Sequence, residues 1–194
     1  GIKDNNPGDV MLINIHTGGY ATPQGPGTDF NTNFGAALAT NASVSGYPTG
    51  SVNRDGPAMS RSSWASATAT QLSQPSPVNV WSEAIIDMGT NTLTVNVEIY
   101  YTGSQTVTSN KINVAVLQNN IEGPQSGGAS YNPSAVLANG NYNHTHMLRH
   151  LITGQWGEDI TNVSQGHYET RSYTWNIPSD INGVDVDPTN LEIV

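Results

Sequence analysis

Apolar and polar side chains alternate along residues 93–101, from Leu93 to Tyr101. This period of two is typical of a β-strand with one buried and one solvated face. A polar turn segment follows, and a second alternating run covers residues 111–118. We therefore predict that the second strand returns antiparallel beside the first. Because two strands cannot bury an apolar face alone, further strands must cover the pair.

The rest of the C-terminal half contains further extended runs separated by turn residues. The predicted strands are residues 80–87, 142–152, 165–177 and 191–194. Residues 120–140 are rich in Gly, Pro, Ser and Asn, which predicts a long loop. Roughly six or seven short strands are typical of a two-sheet sandwich. We predict an antiparallel immunoglobulin-like β-sandwich over residues 78–194, so the fold class is α+β followed by all-β.

The first 77 residues follow a different pattern. Residues 9–16 form a compact apolar run, which predicts a buried strand. Asp29 is placed to cap a helix that ends near residue 41, and a second helix is predicted over residues 60–72. The segment Gln74-Pro-Ser-Pro77 ends this helical period, so we place a domain boundary there.

A tight Gly46-Tyr47-Pro48 turn leads into a short strand between the two predicted helices. The Tyr47-Pro48 bond is a candidate cis peptide, because X-Pro bonds adopt the cis form far more readily than other peptide bonds.

Composition and charge exclude several classes of function. The chain of 194 residues has a formal net charge of -9, and its six Lys and Arg residues are scattered, so no basic surface for nucleic acid or an anionic membrane is expected. No run approaches the roughly 18 apolar residues of a membrane span. The absence of cysteine excludes disulfides, thiolate metal sites and Cys nucleophiles within these residues.

The densest cluster of chemistry-bearing residues is Tyr142-Asn-His-Thr-His-Met-Leu-Arg-His150. On one strand, His144, His146 and His150 would share a face and offer ligands for a transition metal, with Glu158 or Asp159 completing the set. The alternative is that these histidines form hydrogen bonds across the sheet, while Arg149 pairs with a carboxylate on the opposite face. We favour the structural alternative.

Acidic residues also recur near the C-terminus. Asp180, Asn182, Asp185 and Asp187 surround Gly183 and could supply oxygen ligands to calcium. The spacing does not match an EF-hand loop, so we favour an acidic surface loop.

No assembled catalytic set is found. The chain lacks a Gly-x-Ser-x-Gly elbow and a phosphate-binding Gly-rich loop with Lys. Exposed aromatic side chains could form a carbohydrate platform, although such residues more often close a sandwich core. The aromatic candidates are Trp81, Tyr100, Tyr101, Trp156 and Trp175.

Several motifs occur in an order that resembles the outer membrane protein 28 family. They are Leu12-Ile-Asn-Ile-His-Thr-Gly18, Ser45-Gly-Tyr-Pro-Thr-Gly50 with Val52-Asn-Arg54, Val114-Ala-Val-Leu-Gln118 with Ile121 and Gln125, and Tyr142-Asn-His-Thr-His-Met-Leu-Arg149. The resemblance covers about residues 10–160. It implies a Bacteroidetes cell-envelope lipoprotein in which a thioredoxin-like segment, here truncated within residues 1–77, precedes the sandwich.

The resemblance and the lack of a catalytic set together favour a non-enzymatic interaction or adhesion module at the outer membrane, cell surface or periplasm. Loops at one end of the sandwich would contact a protein or glycan partner. Only an upstream lipid anchor would link it to the membrane, and no cofactor is expected apart from the two metal possibilities. The alternative is part of a periplasmic thiol-disulfide oxidoreductase, with Pro48 beside a Cys-x-x-Cys turn upstream of Gly1.

Overall fold

A computed structural model describes all 194 residues and shows a β-rich fold whose named strands all pair antiparallel. The helices are α1 (Ile2–Asn5), α2 (Gly35–Asn41), α3 (Trp64–Leu72) and α4 (Gly128–Tyr131), with 3-10 turns at Gly19–Ala21, Arg61–Ser63, Pro133–Ala135 and Pro188–Asn190. The strands are β1 (Thr49–Gly50), β2 (Met59–Ser60), β3 (Val78–Asp87), β4 (Thr92–Tyr101), β5 (Asn110–Ile112), β6 (Ala115–Gln118), β7 (Ile121–Gly123), β8 (Tyr142–His144), β9 (Met147–Leu151), β10 (Glu158–Ile160), β11 (Tyr168–Asn176), β12 (Asp180–Ile181), β13 (Val184–Asp185) and β14 (Leu191–Ile193).

The longest strands form a three-stranded first sheet in the order β11-β4-β3. The alternation that predicts β4 is confirmed. Its inward side chains are fully or almost fully buried: Leu93, Val95, Val97, Ile99 and Tyr101. Both neighbours of β4 run beside nearly its whole length, so its backbone groups are paired on both sides.

A second layer of strands lies across the core from the first sheet. It contains the sheet β14-β6-β9 and the pair β10-β5. Ile112, Val114, Val116 and Ile160 from this layer join the buried side chains of β4 in one apolar cluster. The two layers therefore bury a shared core, as a sandwich requires.

The predicted pairing of residues 93–101 with residues 111–118 is wrong. β5 pairs with β10, and β6 pairs with β9 and β14. The residues between β4 and β5 carry the chain across to the second layer, because β3 and β11 already occupy both edges of β4. The two alternating runs contact each other through side chains across the core and not through a hydrogen-bonded ladder.

The second layer is covered on its other side by the N-terminal part of the chain. All four residues of β6 are buried, which shows that both of its faces are packed. Ala115, Leu117, Leu148 and Leu151 form a separate cluster, against which Phe34 and Leu38 of the α2 region pack. A domain division at residue 77 stays a prediction, as do the thioredoxin-like and immunoglobulin-like assignments.

Two expectations for the N-terminal part need correction. The predicted buried strand over residues 9–16 is largely exposed: Met11, Leu12 and Ile15 are 52%, 39% and 39% exposed, and only Val10 and His16 are partly buried. This run meets the edge of β9 through an isolated parallel bridge at Asn14, and little of the chain covers it. Asp29 does not cap a helix, because its side chain accepts hydrogen bonds from Asn31 and α2 begins only at Gly35.

The C-terminal part also differs from the expected elements. The predicted loop at residues 120–140 contains β7 and α4, and β7 pairs with β8. The predicted strand over residues 142–152 is divided into β8 and β9, because His146 has a φ of 52°. This left-handed backbone interrupts the alternation of side chains between the two faces.

Candidate functional site

The outer face of the first sheet is an ordered surface that the rest of the chain leaves largely uncovered. Since the alternate residues of β4 point into the core, the others point outward together with their partners on β3 and β11. The register places them in five rows across the three strands: Asn79, Tyr100 and Tyr168; Trp81, Glu98 and Thr170; Glu83, Asn96 and Ser172; Ile85, Thr94 and Thr174; Asp87, Thr92 and Asn176.

One end of this outer face carries three exposed aromatic rings, which we call the aromatic end. Trp81, Tyr100 and Tyr168 are 55%, 46% and 53% exposed. Tyr100 and Tyr168 are direct cross-strand partners, and Trp81 is diagonal to Tyr100 on the other side. Neighbouring strands are about 4.8 Å apart and diagonal positions about 7–8 Å. The rings therefore extend across all three strands.

The charges on the outer face are all acidic. Glu98 lies directly opposite Trp81, and Glu83 and Asp87 follow on β3. None of the salt bridges in the chain involves these three carboxylates. Desolvation and the nearby Glu98 carboxylate raise the pKa of the Tyr168 hydroxyl above its ordinary value. The aromatic end thus combines ring faces with the Glu98 carboxylate, which forms no salt bridge and lies near the Tyr168 hydroxyl.

The remaining outward positions are uncharged and polar, apart from Ile85. Ser172 donates a hydrogen bond to Asn96 across the strands at 2.8 Å. Thr94, Thr170 and Thr174 present hydroxyl groups beside them. The face is consequently flat, polar and rich in donors and acceptors, with its aromatic rings gathered at one end.

The aromatic candidates from the sequence divide between this surface and the core. Trp81 and Tyr100 are exposed on the outer face, whereas Tyr101 is buried in the core. Trp175 is half-buried and stacks on the His150 ring at 5.1 Å. Trp156 is exposed in the turn between β9 and β10, outside the first sheet. Tyr168 completes the aromatic end, and only the pairing of β11 with β4 reveals its position.

His144, His146 and His150 do not converge. His144 is buried against Phe30, Tyr142 and His16, at ring-centroid distances of 4.9, 5.0 and 5.2 Å. His150 lies between Trp175 and Phe34.

His146 instead joins a small polar network. Its Nδ1 atom is 2.6 Å from Glu192, and Lys3 approaches both residues. Although burial opposes it, hydrogen bonding from His146 and Asn119 lowers the pKa of Glu192.

The suggested fourth ligands are engaged elsewhere. Glu158 accepts hydrogen bonds from Arg171 and Tyr173, and Asp159 pairs with Lys111 at 2.7 Å. No group of three or more His, Cys, Asp or Glu side chains in the chain is arranged to hold a metal ion. The expectation that the three histidines share a face therefore needs correction, and the geometry gives the transition-metal hypothesis no support.

The proposed calcium ligands are used within turns. Asn182 and Gly183 both have positive φ angles and connect β12 to β13 as a two-residue hairpin turn. The Asp180 carboxylate accepts a hydrogen bond from the Gly183 amide at 3.0 Å. Asp187 accepts from Thr189 and Asn190, which starts the last 3-10 turn, and Asp185 pairs with Asp180 across the hairpin. These contacts give the Asp180 and Asp187 side chains roles within turns, and the calcium site stays a prediction.

Arg149 also departs from expectation. The guanidinium group is buried and donates to the Val184 carbonyl oxygen at 2.7 Å, not to a carboxylate. Burial lowers the pKa of Arg149 to about 10, against the opposing influence of Asp180.

The Tyr47–Pro48 peptide bond is cis, in the arrangement the sequence suggested.

Comparison with known families identifies the chain. A family model described as outer membrane protein Omp28 matches residues 35–193, which include α2 and every strand of the two layers. The chain belongs to the Omp28 family. No curated protein and no solved structure matches it.

As a member of this outer membrane protein family, the chain is a cell-envelope protein. None of its helices has the length and apolar character required to cross a bilayer. The matched region contains the whole outer face of the first sheet, from Trp81 on β3 to Tyr168 on β11. The open surface is thus part of the family region of the molecule.

Proposed function

We propose that this chain is a non-enzymatic interaction module of a Bacteroidetes outer-membrane or cell-surface lipoprotein. The observation that carries the proposal is the open outer face of the first sheet, where exposed aromatic rings lie beside carboxylates that form no salt bridge. Aromatic side chains are enriched at recognition surfaces, and a contiguous exposed patch of this kind marks an interaction site.

The surface differs from the end loops that the sequence suggests for this role. A sheet face holds its side chains more rigidly than loops do, because each residue is fixed by cross-strand hydrogen bonds. The partner, a protein or a glycan at the cell surface, would contact β3, β4 and β11 together. A lipid anchor outside these residues would place the module at the membrane.

The alternative role in thiol-disulfide exchange has no redox-active residue within this chain, which contains no cysteine. It concerns residues outside the chain, and only the longer protein can be tested for disulfide reduction. The open sheet face provides the stronger basis for a function of the residues described here.

Blocking the face chemically provides a direct test. Because the chain lacks cysteine, Thr170→Cys on the outer face can be labelled selectively with a bulky maleimide-polyethylene glycol. We expect a fluorescent form of the chain without polyethylene glycol to bind intact bacterial or epithelial cells, as measured by flow cytometry. Attaching the polyethylene glycol at position 170 should abolish this binding.

The matched control carries the same label at Ser66→Cys, which is exposed on α3. This label should leave cell binding unchanged. The proposal is wrong if the chain without polyethylene glycol binds neither cell type, or if polyethylene glycol at positions 170 and 66 reduces cell binding equally.

A further inference from the structure

The aromatic end and the polar rows beside it define the chemistry of a ligand more closely than a general interaction surface does. We infer that the outer face of the first sheet binds a glycan chain that carries no acidic groups, with the sugar rings stacked on Trp81, Tyr100 and Tyr168. This inference rests on the proposed function and names the class of partner.

The first argument is the combination of apolar and polar groups. A pyranose ring presents C–H groups on its face and hydroxyl groups around its rim. The exposed rings of Trp81, Tyr100 and Tyr168 offer flat apolar surfaces to the ring face. Hydroxyl and amide groups in the same two rows, such as those of Thr170 and Asn79, can donate to and accept from the rim. A purely apolar partner would leave these polar groups without hydrogen bonds.

The second argument is spacing. The three rings extend over three neighbouring strands, each about 4.8 Å from the next. A linear glycan lying across the strands would advance by roughly one sugar unit per strand. Neither of the two main pockets of the chain lies on this face, so an extended glycan is a better fit than a single enclosed sugar.

The third argument is charge. The carboxylates of Glu83, Asp87 and Glu98 face outward, and no Lys or Arg occupies any of the outward positions. An acidic glycan would be repelled, whereas neutral sugar hydroxyls can donate to Glu98. A second copy of the chain is also disfavoured, because it would add a further net charge of -9 and its own acidic face.

The experiment measures the affinity of the full chain for defined oligosaccharides by isothermal titration calorimetry. The neutral probes are cellohexaose, mannohexaose and the hexamer of N-acetylglucosamine, and the acidic probe is hexagalacturonic acid. We expect at least one neutral hexamer to bind with little dependence on salt, and the acidic hexamer not to bind.

Ring removal locates the site. Trp81→Ala and Tyr168→Ala should each weaken the affinity by about tenfold or more, as expected for aromatic anchors. The matched control is Trp156→Ala, since Trp156 is 51% exposed and Trp81 is 55% exposed, but Trp156 lies outside the sheet. The control should bind with unchanged affinity, and the melting temperature of each variant should confirm that the fold is retained.

The inference fails if no neutral hexamer binds, if the acidic hexamer binds better, or if Trp81→Ala and Trp156→Ala have equal effects. Concentration-dependent dimerisation that Trp81→Ala removes would also overturn it in favour of a second copy. If no oligosaccharide binds but labelling at position 170 still abolishes cell binding, the face would be assigned to a protein partner. The proposed interaction role would then stand while the glycan would be excluded.

Discussion

His16 and His144 lie in the same mostly buried aromatic cluster, with Phe30 against both rings. The Nδ1 atom of His16 is buried without a hydrogen-bond partner. Burial, followed by repulsion from His144, lowers the pKa of His16 from 6.5 to about 4. Burial also lowers the pKa of His144. Both rings are therefore held neutral at pH values where an exposed histidine becomes charged.

This difference predicts acid-sensitive stability. As the pH falls below 6.5, the unfolded state binds a proton at His16 before the folded state does, so the free energy of unfolding decreases until the pH reaches about 4. We expect His16 to contribute a loss of up to about 1.4 kcal/mol per pH unit, on the order of 3 kcal/mol in total. Urea unfolding from about pH 7.5 to about pH 4.5 measures this loss.

The substitution His16→Phe should make the pH dependence shallower, because it removes the titrating ring while keeping an aromatic side chain in the cluster. Ser66→Ala, an exposed change on α3 that removes no titratable group, should retain the slope of the unchanged protein. An identical slope in His16→Phe would show that other groups cause the acid sensitivity.

Residue chemistry was predictable only where local sequence determines it. The Tyr47-Pro48 bond could be singled out because only proline makes the cis form accessible. The positions of His144, His146 and His150 depend on the left-handed backbone at His146, which an alternating pattern does not reveal. The Asn182-Gly183 pair did carry a hairpin signal in the sequence, and the structure places a two-residue turn there.

At the scale of elements, residues 102–109 connect strands that belong to different layers. Neither β4 nor β5 depends on this connection for its register, since β4 pairs with β3 and β11 and β5 pairs with β10. The connection acts as a linker between the layers. Its length should therefore have little influence on stability.

Lengthening residues 102–109 tests directly whether they act only as a linker between the two layers. Inserting eight Gly and Ser residues after Gln105 roughly doubles its length and should lower the free energy of unfolding by only about 0.6 kcal/mol. The measurement is the midpoint and slope of urea unfolding.

Two residues inserted in the turn between β3 and β4 form the contrasting control. There, Asp87 accepts hydrogen bonds from the Gly89 and Thr90 amides, and the turn sets the register of ten strand pairs. This insertion should lower the free energy of unfolding more than the longer insertion after Gln105 does. If the insertion after Gln105 has the larger effect, β4 would instead pair directly with the strands that follow it.

The longest strands were predictable, but their partners were not. The alternation along β4 and β11 and the Leu-Glu-Ile pattern of β14 identify strands from local sequence, whereas short strands such as β7 and β10 carry no comparable signal. Alternation specifies a buried face without specifying which strand lies beside it. The aromatic end shows the consequence, since Tyr168 joins Tyr100 only through a pairing across more than sixty residues.

At the scale of the whole molecule, the second layer is packed between two different apolar surfaces. Val116 faces the core shared with β4, whereas Leu117 faces the cluster covered by Phe34 and Leu38. The outer face of the first sheet has no such cover. The molecule thus has one side closed by its own N-terminal part and the opposite side open.

This arrangement predicts that the N-terminal part stabilises the sandwich and does not fold beside it independently. The double substitution Phe34→Ala/Leu38→Ala removes the cover over Leu117 and Leu148. We expect it to lower the free energy of unfolding by about 2–5 kcal/mol, since both side chains are only partly buried.

Hydrogen exchange distinguishes coupled from independent parts. If α2 supports the second layer as its contacts indicate, the double substitution should reduce protection of the β6 amides and, through the shared core, of the β4 amides as well. Leu72→Ala is the control, because Leu72 is 42% exposed at the end of α3 and its loss should change stability by no more than about 0.5 kcal/mol. Unchanged protection of β4 in the double variant would mean that residues 78–194 fold as a unit of their own, which is the division at residue 77 that the change of sequence period predicts.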